Sequence, residues 1–292
     1  MTAGDSQPDV SVVVVSWNTR ELTLACLRSI VQEMSVGSVE CEAILVDNGS
    51  SDGTVDAVVA ELPSIRIVSL DENAGFARAA NRGMAESNGR FVLLLNSDAE
   101  MSGGTIARLV AILDDRPEAG ALGVALVGDS GERQFSCGRF LNPVNQFAET
   151  IGISRLLPFR GLRRSYRDDE LSADVVGVDW CVGACLLLRR AALDAVGVLD
   201  ERFFMYSEDE DLCMRLRVAG WRVLHAATIS VRHRGGGSAS RALDRMRSEA
   251  RTSQNAFILK HFGAIRAFCF RMLMSLARLK PRRDDAQVGW GR

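Results

Sequence analysis

An α/β fold with a mostly parallel central sheet flanked by helices is predicted by three features of the sequence. Apolar runs of strand length alternate with helix-period segments through the first half of the chain, the runs are continuous rather than alternating in polarity, and polar clusters follow them directly. A strand covered on both faces has no wet side, so the β-branched run Val10-Ser-Val-Val-Val-Val-Ser16 suits the interior of a parallel sheet.

The elements follow in order. A helix is expected over Glu21 to Met34, where Leu22, Cys26, Ile30 and Met34 recur one turn apart, and then a second strand, Glu42 to Val46. The unit repeats as a helix over Asp56 to Leu62, a strand over Ile65 to Val68, a helix over Phe76 to Ser87 and a wholly apolar strand over Phe91 to Leu95. From Gly138 to Ala173 regularity is lost and arginines enter (Arg155, Arg160, Arg163, Arg164, Arg167), which reads as an insertion. Regular structure returns with strands over Val175 to Val178 and Gly183 to Leu188. A helix is expected from Glu208, strands over Trp221 to His225 and Ile229 to His233, and a helical region from Ala239. The implied division is a main domain over residues 9–238 (first half 9–127, second half 128–238, insertion 138–173) and a helical extension over 239–292 that ends in a basic tail.

The 292 residues suffice to bury a core, and 47% hydrophobic residues with 25% charged and a net charge of -2 describe an ordinary globular chain. That balance argues against a nucleic-acid partner. Seven cysteines with no repeated metal-ligand spacing read as reduced core thiols. The polar start of the chain lacks the order of a secretory signal, and no stretch reaches the ~18 apolar residues of a membrane span, so a cytoplasmic location is expected.

In an open α/β sheet, ligands bind at the carboxyl ends of the strands, so chemistry is expected at Trp17-Asn18, Asp47 to Thr54, Asp71 to Gly75 and Asn96-Ser-Asp98. Asp47-Asn-Gly-Ser-Ser-Asp-Gly-Thr54 reads either as a solvated turn, with Asp52 or Thr54 capping the next helix, or as a nucleotide site. A carboxylate there would accept from a pyrimidine imide or from ribose hydroxyls. Asp98 should enter the same crevice, where one or two carboxylates together with phosphates suffice for a hard divalent cation. Glu208-Asp-Glu-Asp211 is the densest acidic cluster. It serves either the helix dipole, with an Asp211 to Arg215 pair, or proton transfer, and a base at a helix N-terminus would be expected to keep a low pKa.

Val-Val-Ser-Trp-Asn18, Val-Asp-Asn-Gly-Ser-Ser-Asp-Gly-Thr54, Asn73-Ala-Gly-Phe-Ala-Arg-Ala-Ala-Asn81, Leu-Leu-Asn-Ser-Asp98 and Tyr-Ser-Glu-Asp-Glu-Asp-Leu-Cys213 stand in the order found in family 2 glycosyltransferases, which the chain resembles from Val10 to His233. The resemblance is closest to rhamnosyltransferase-like members. It implies the nucleotide-diphospho-sugar transferase (GT-A) fold, inverting transfer from a dTDP- or UDP-sugar, and Mg²⁺ or Mn²⁺ as cofactor. By the same resemblance Ser16, Asn18, Asp47, Asn48, Asp52, Asn73, Phe76, Arg78, Asn81, Asn96 and Ser97 would bind the donor, and Asp98 and His233 the metal. Asp209 would be the base, and Trp180, Gly183 and Glu208 would face the acceptor, a glycan or a polyprenyl-diphosphate-linked sugar. Trp180 also suits a core position before a buried strand. His225 is read as a strand residue and His261 as a helix-surface residue.

One departure from the family pattern is Asn96, where many members carry a first aspartate; it invites the alternative of a degenerate sugar-nucleotide-binding or scaffold protein. Other enzyme classes fit poorly. Ser16-Trp-Asn-Thr19 lacks the glycines of a dinucleotide-binding turn and the glycine-rich basic loop of a nucleotidylyltransferase, and the Gln-x-x-Arg-Trp motif of processive synthases is absent. In the tail, apolar residues from Phe262 to Leu279 mingle with Arg266, Arg271, Arg278, Lys280, Arg282 and Arg283, which suits either peripheral contact at the inner face of the plasma membrane or packing on protein. A homodimer is compatible with this reading.

Overall fold

The first apolar run forms β1 (Val10–Ser16), followed by α1 (Arg20–Val36), β2 (Cys41–Asp47), α2 (Thr54–Glu61), β3 (Arg66–Ser69), α3 (Phe76–Ala85) and β4 (Phe91–Asn96). The computed structural model describes residues 7–36, 39–155, 159–235 and 243–277. β1 lies between β2 and β4 and is parallel to both, with Ser16 opposite Asp47 and Val15 opposite Asn96. Three strands therefore end level, and the polar residues after each share one sheet edge.

The continuous hydrophobicity of these strands has the expected cause, because helices cover both faces. Val10, Val12 and Val14 pack with Leu24, Leu27 and Leu109 on one side, whereas Val13 packs with Ala80, Met84 and Leu212 on the other.

The second half comprises β5 (Ala99–Glu100), α4 (Thr105–Asp114), β6 (Ala119–Val127), β7 (Arg133–Gln134), β8 (Cys137–Gly138), α5 (Pro143–Thr150), β9 (Val175–Gly177), β10 (Trp180–Cys181), β11 (Cys185–Arg189), α6 (Arg190–Val196), α7 (Glu208–Val218), β12 (Arg222–His233) and α8 (Leu243–Ala277). The main sheet runs β3-β2-β1-β4-β11-β6-β12-β5, with β7 on β6 and β9 on β12, while β8 and β10 form a separate pair. β11 is antiparallel to both β4 and β6, so the sheet is mixed at its centre.

Three expectations change. The segments Trp221 to His225 and Ile229 to His233 belong to one strand, β12, whose register against β6 jumps between Ala226 and Ser230. The bulge keeps Ala226, Ile229 and Val231 all in the core, which an unbroken alternation would not allow. The insertion is not wholly irregular. Asn142 caps α5 by accepting from Val144 N (3.0 Å) and Asn145 N (2.9 Å), and Asn145 Oδ1 accepts in return from Asn142 N, ahead of Pro143 in the first turn. The C-terminal helical region is interrupted at Gly263, whose φ of 85° a residue with a side chain adopts only with strain. All seven cysteines are unpaired thiols, five of them buried. Among the described residues no helix is long and apolar enough to cross a membrane.

Candidate functional site

The site begins with Asp47 at the end of β2. Its carboxylate is buried; Oδ2 accepts from Ser50 N at 3.0 Å, and Oδ1 has no hydrogen-bond partner. A buried carboxylate oxygen without a protein donor keeps the capacity to accept a hydrogen bond from water or a bound group. Asn18 clamps the same turn: its N–H donates to Ser50 Oγ (3.0 Å) and its Oδ1 accepts from Ser51 N (2.8 Å), with its backbone at φ 53°. Asp52 accepts from Arg20 N through Oδ2 and from Thr54 N through Oδ1, which places it at the N-terminal ends of α1 and α2. Ser16 and Ser97 are buried in a hydroxyl chain that runs through Thr23 and Thr19, so their side chains join β1, α1 and the end of β4 rather than line a cleft.

The loop before α3 is held by amides. Asn48 Oδ1 accepts from Ala74 N at 2.9 Å, and its Nδ2 donates to Asn73 Oδ1 at 3.1 Å. Asn81 is turned away from this loop: its amide donates to Leu199 O and accepts from Leu199 N, tying α3 to residues 199–201. Arg78 is exposed on the first turn of α3. Phe76 N donates to Phe204 O at 2.7 Å, which seats the loop against the segment leading into α7.

Asp98 and His233 meet although 135 positions separate them. β5, only two residues long and unforeseen in the sequence, pairs His233 with Ala99, and His233 Nε2 stands 3.3 Å from Asp98 Oδ1. Gln134 fixes the ring. Its Nε2 donates to His233 O (2.8 Å), so its Oε1 faces Nδ1 (2.7 Å) and accepts from it. With Nδ1 engaged by Gln134, Nε2 is the ring nitrogen turned toward Asp98 and thus the one available to a metal. Asn96 Nδ2 lies 3.4 Å from the same nitrogen. Among the described residues no group of three His, Cys, Asp or Glu can hold a metal, so the protein offers a pair, which fits a cation shared with a diphosphate. Of the glycine-rich stretch after His233, residues 236–238 lie outside the described residues.

The acidic turn opens α7 after Tyr206 and Ser207, both with left-handed backbone (φ 69° and 67°), a strain of about 1–3 kcal/mol each that the surrounding structure must hold. Asp209 Oδ2 accepts from Gly183 N at 2.9 Å and Oδ1 from Glu210 N at 2.8 Å, leaving lone pairs for one further donor. The expectation of a low pKa is overturned. Burial raises Asp209 above its ordinary value and outweighs the Gly183 and Glu210 N–H groups and the Arg164 charge. Glu208 is buried, Oε2 has no partner, and burial together with the Asp209 charge pushes it well up. Asp211 pairs with Arg215, as expected (2.9 Å), and also with Lys260 (2.6 Å) and His261 (2.7 Å).

Two other expectations are corrected. His261 is not a surface residue, because Asp211 draws it inward. Trp180 is 4% exposed, and its Nε1 donates to Arg139 O, so it belongs to the core and offers no free stacking face. His225 is a buried strand residue with Nε2 3.0 Å from Ser136 Oγ.

One backbone step joins the halves. Asn96 N donates to Ala184 O at 3.0 Å, and the adjacent Gly183 N donates to Asp209, so the Asp209 carboxylate sits beside the strand end that carries Asn96, Ser97 and Asp98. Gln134 and Arg164 complete the surroundings; the sequence marks Arg164 only as one arginine of the insertion and Gln134 not at all.

The profile of glycosyl transferase family 2 matches residues 11–197, and that of glycosyl transferase family 21 matches residues 162–287. The chain is 32% identical over 201 residues to the N-acetylglucosaminyl-diphospho-decaprenol L-rhamnosyltransferase of Mycobacterium tuberculosis H37Rv, an alignment covering 65% of each chain. It is 38% identical over 65 residues to a rhamnosyltransferase of Escherichia coli K12, covering 22% of this chain and 24% of that protein. Among solved structures it is similar to a mannosyltransferase from Pyrobaculum calidifontis in complex with GDP-Man and Mn²⁺ (TM-score 0.54, 18% identity, 95% of this chain and 82% of that one). It is also similar to residues 1–349 of Staphylococcus aureus TarS with UDP (TM-score 0.54, 16% identity, 90% and 75%). The fold is of the GT-A type.

Proposed function

Because this chain belongs to glycosyl transferase family 2, we propose that it moves a sugar from a nucleotide diphosphate donor to an acceptor hydroxyl with inversion at the anomeric carbon. The observation that carries this reading is the Gly183-Ala184 step, which sets a buried carboxylate beside the end of β4, next to the Asp98 and His233 pair. Asp47 Oδ1 accepts the imide N–H of a pyrimidine base, Asn18, Asn48 and Asn73 hold the loops that enclose the nucleotide, and exposed Arg78 faces donor phosphate. Asp98 and His233 would hold Mg²⁺ or Mn²⁺, which would supply charge to offset that of the departing diphosphate. Asp209 takes the acceptor proton as that oxygen attacks the anomeric carbon, and the bond to the diphosphate oxygen breaks on the opposite face. Glu208 and Gly183 border the acceptor side.

Rhamnose, carried on dTDP or UDP, is the first donor sugar to be tried, and a glycan or a polyprenyl-diphosphate-linked sugar the acceptor; the mycobacterial relative is a rhamnosyltransferase named for a diphospho-decaprenol acceptor. The chain matches 65% of that relative's length, so its substrates are tested directly: transfer is assayed with a panel of nucleotide sugars with and without Mn²⁺. Asp209→Asn should lower turnover about 10²–10⁴-fold with donor binding near normal. Wild-type-like turnover of that variant removes the base assignment, and metal-independent donor binding without transfer by the wild type would leave a sugar-nucleotide-binding protein.

We further propose a peripheral contact with anionic lipid. After Gly263, α8 buries Ala267 and Phe270 and turns Ile265 (82% exposed), Phe268 (57%) and Met272 (50%) to the opposite side. Arg266 and Arg271 flank that apolar stripe, and the sequence from Gly263 onward holds seven basic residues against two acidic ones. Arg278, Lys280, Arg282 and Arg283 lie outside the described residues.

A further inference from the structure

One arginine of the insertion reaches the acidic turn. Arg164 Nη2 donates to Glu210 Oε2 at 2.8 Å, and the two side chains are 4% and 1% exposed. The backbone around Arg164 is fixed, since Arg139 N donates to Arg164 O at 2.6 Å and Ser165 bridges Gly138. Its guanidinium lies 5.8 Å from the centre of the Trp180 ring. The other Glu210 oxygen accepts from Leu141 N. Glu210 N in turn donates to Asp209 Oδ1 at 2.8 Å.

A buried ion pair seldom adds more stability than apolar residues of the same volume, so its presence here calls for another cause. We propose that Arg164 is a positioning residue for the transfer reaction: from the insertion it holds Glu210, and through Glu210 the orientation of Asp209, with its positive charge set against the acidic turn. The inference rests on Asp209 being the base. The charged and titratable groups coupled to Asp209 are Glu208 and Glu210 from α7, Arg164 from the insertion, and the thiols of Cys181 in β10 and Cys213 in α7, which burial keeps protonated. Arg164 lowers Asp209 against the rise that burial causes.

The test fixes Glu210 in an uncharged form and varies position 164. In Glu210→Gln the arginine charge is uncompensated; Arg164→Met/Glu210→Gln removes it; Arg164→Lys/Glu210→Gln keeps it. The acid limb of kcat/KM is measured for all three, with circular dichroism and calorimetric donor binding as checks on folding. The limb of the methionine double variant should lie on the order of one pH unit above that of Glu210→Gln, with the lysine double variant staying near the latter. Coincident limbs in all three overturn the proposal, even where turnover falls, because a purely packing role lowers activity without moving a titration. Loss of turnover in Asp209→Asn with coincident limbs separates failure of this inference from failure of the base assignment.

Discussion

Asp209 shows how competing effects on a single residue resolve. Its place in the first turn of α7 favours the carboxylate by a few tenths to about 1 kcal/mol, roughly, whereas burial favours the neutral acid, and burial wins. A base with a raised pKa works above that pKa and is lost as pH falls through it. The acid limb of kcat/KM should therefore have its midpoint above the ~3.9 of a free aspartate, and a midpoint at or below that value would show that burial does not govern this carboxyl in the working enzyme. His233 illustrates the opposite dependence, on a partner that only orients. Gln134→Leu removes the acceptor that keeps the Nδ1 proton in place, so metal affinity measured by calorimetry with donor present should fall about 10–100-fold with the proposed ligands Asp98 and His233 untouched. Unchanged affinity would mean that the ring is not a ligand.

At the scale of elements, the loop before α3 and the turn into α7 are packed so closely that they act as one wall. Gly75 has φ 87°, and a Cβ there would stand 2.5 Å from Phe204 O and 2.7 Å from the Phe204 ring. Gly75→Ala should destabilise the fold by about 1–3 kcal/mol in denaturant titration and lower donor affinity with it, because the loop can relieve the clash only by leaving Phe204. A variant as stable as the wild type would show that the two segments move independently. The same wall accounts for Asn48 and Asn73: their amides bond to each other and to loop backbone, so they hold the loop rather than project from it.

For the whole molecule, the extension after β12 divides at Gly263 into two parts. Its first part anchors α7, through Lys260 and His261 on Asp211 and through buried Phe257 and Ile258; its second part, beyond Gly263, is apolar on both sides. Ile265→Glu/Phe268→Glu should leave the fold intact by circular dichroism, since both side chains are exposed, while abolishing co-sedimentation with anionic vesicles at low salt. Equal sedimentation of variant and wild type, or none by either, would remove the membrane contact.

Much of this was legible in the sequence. Continuous apolar strands, helix periodicity and polar clusters at strand ends determined the α/β class, the parallel first half and the positions of Asp47, Asp98 and the turn at Glu208, because these depend on local hydrophobic pattern and chain order. Tertiary structure decided what pattern does not encode. A two-residue strand brings His233 to Asp98, an antiparallel β11 sets Gly183 against Asp209, and a bulge bends β12. Candidate residues also parted company by partner: Ser16 and Ser97 went to a buried hydroxyl chain, Asn81 to residues 199–201 and Trp180 to the core, whereas Asp47 kept an oxygen free. Hydrogen bonding and desolvation are set by neighbours tens to more than a hundred residues away, so the pKa of Asp209, the tautomer of His233 and the reach of Arg164 into the acidic turn exist only once the chain has closed on itself.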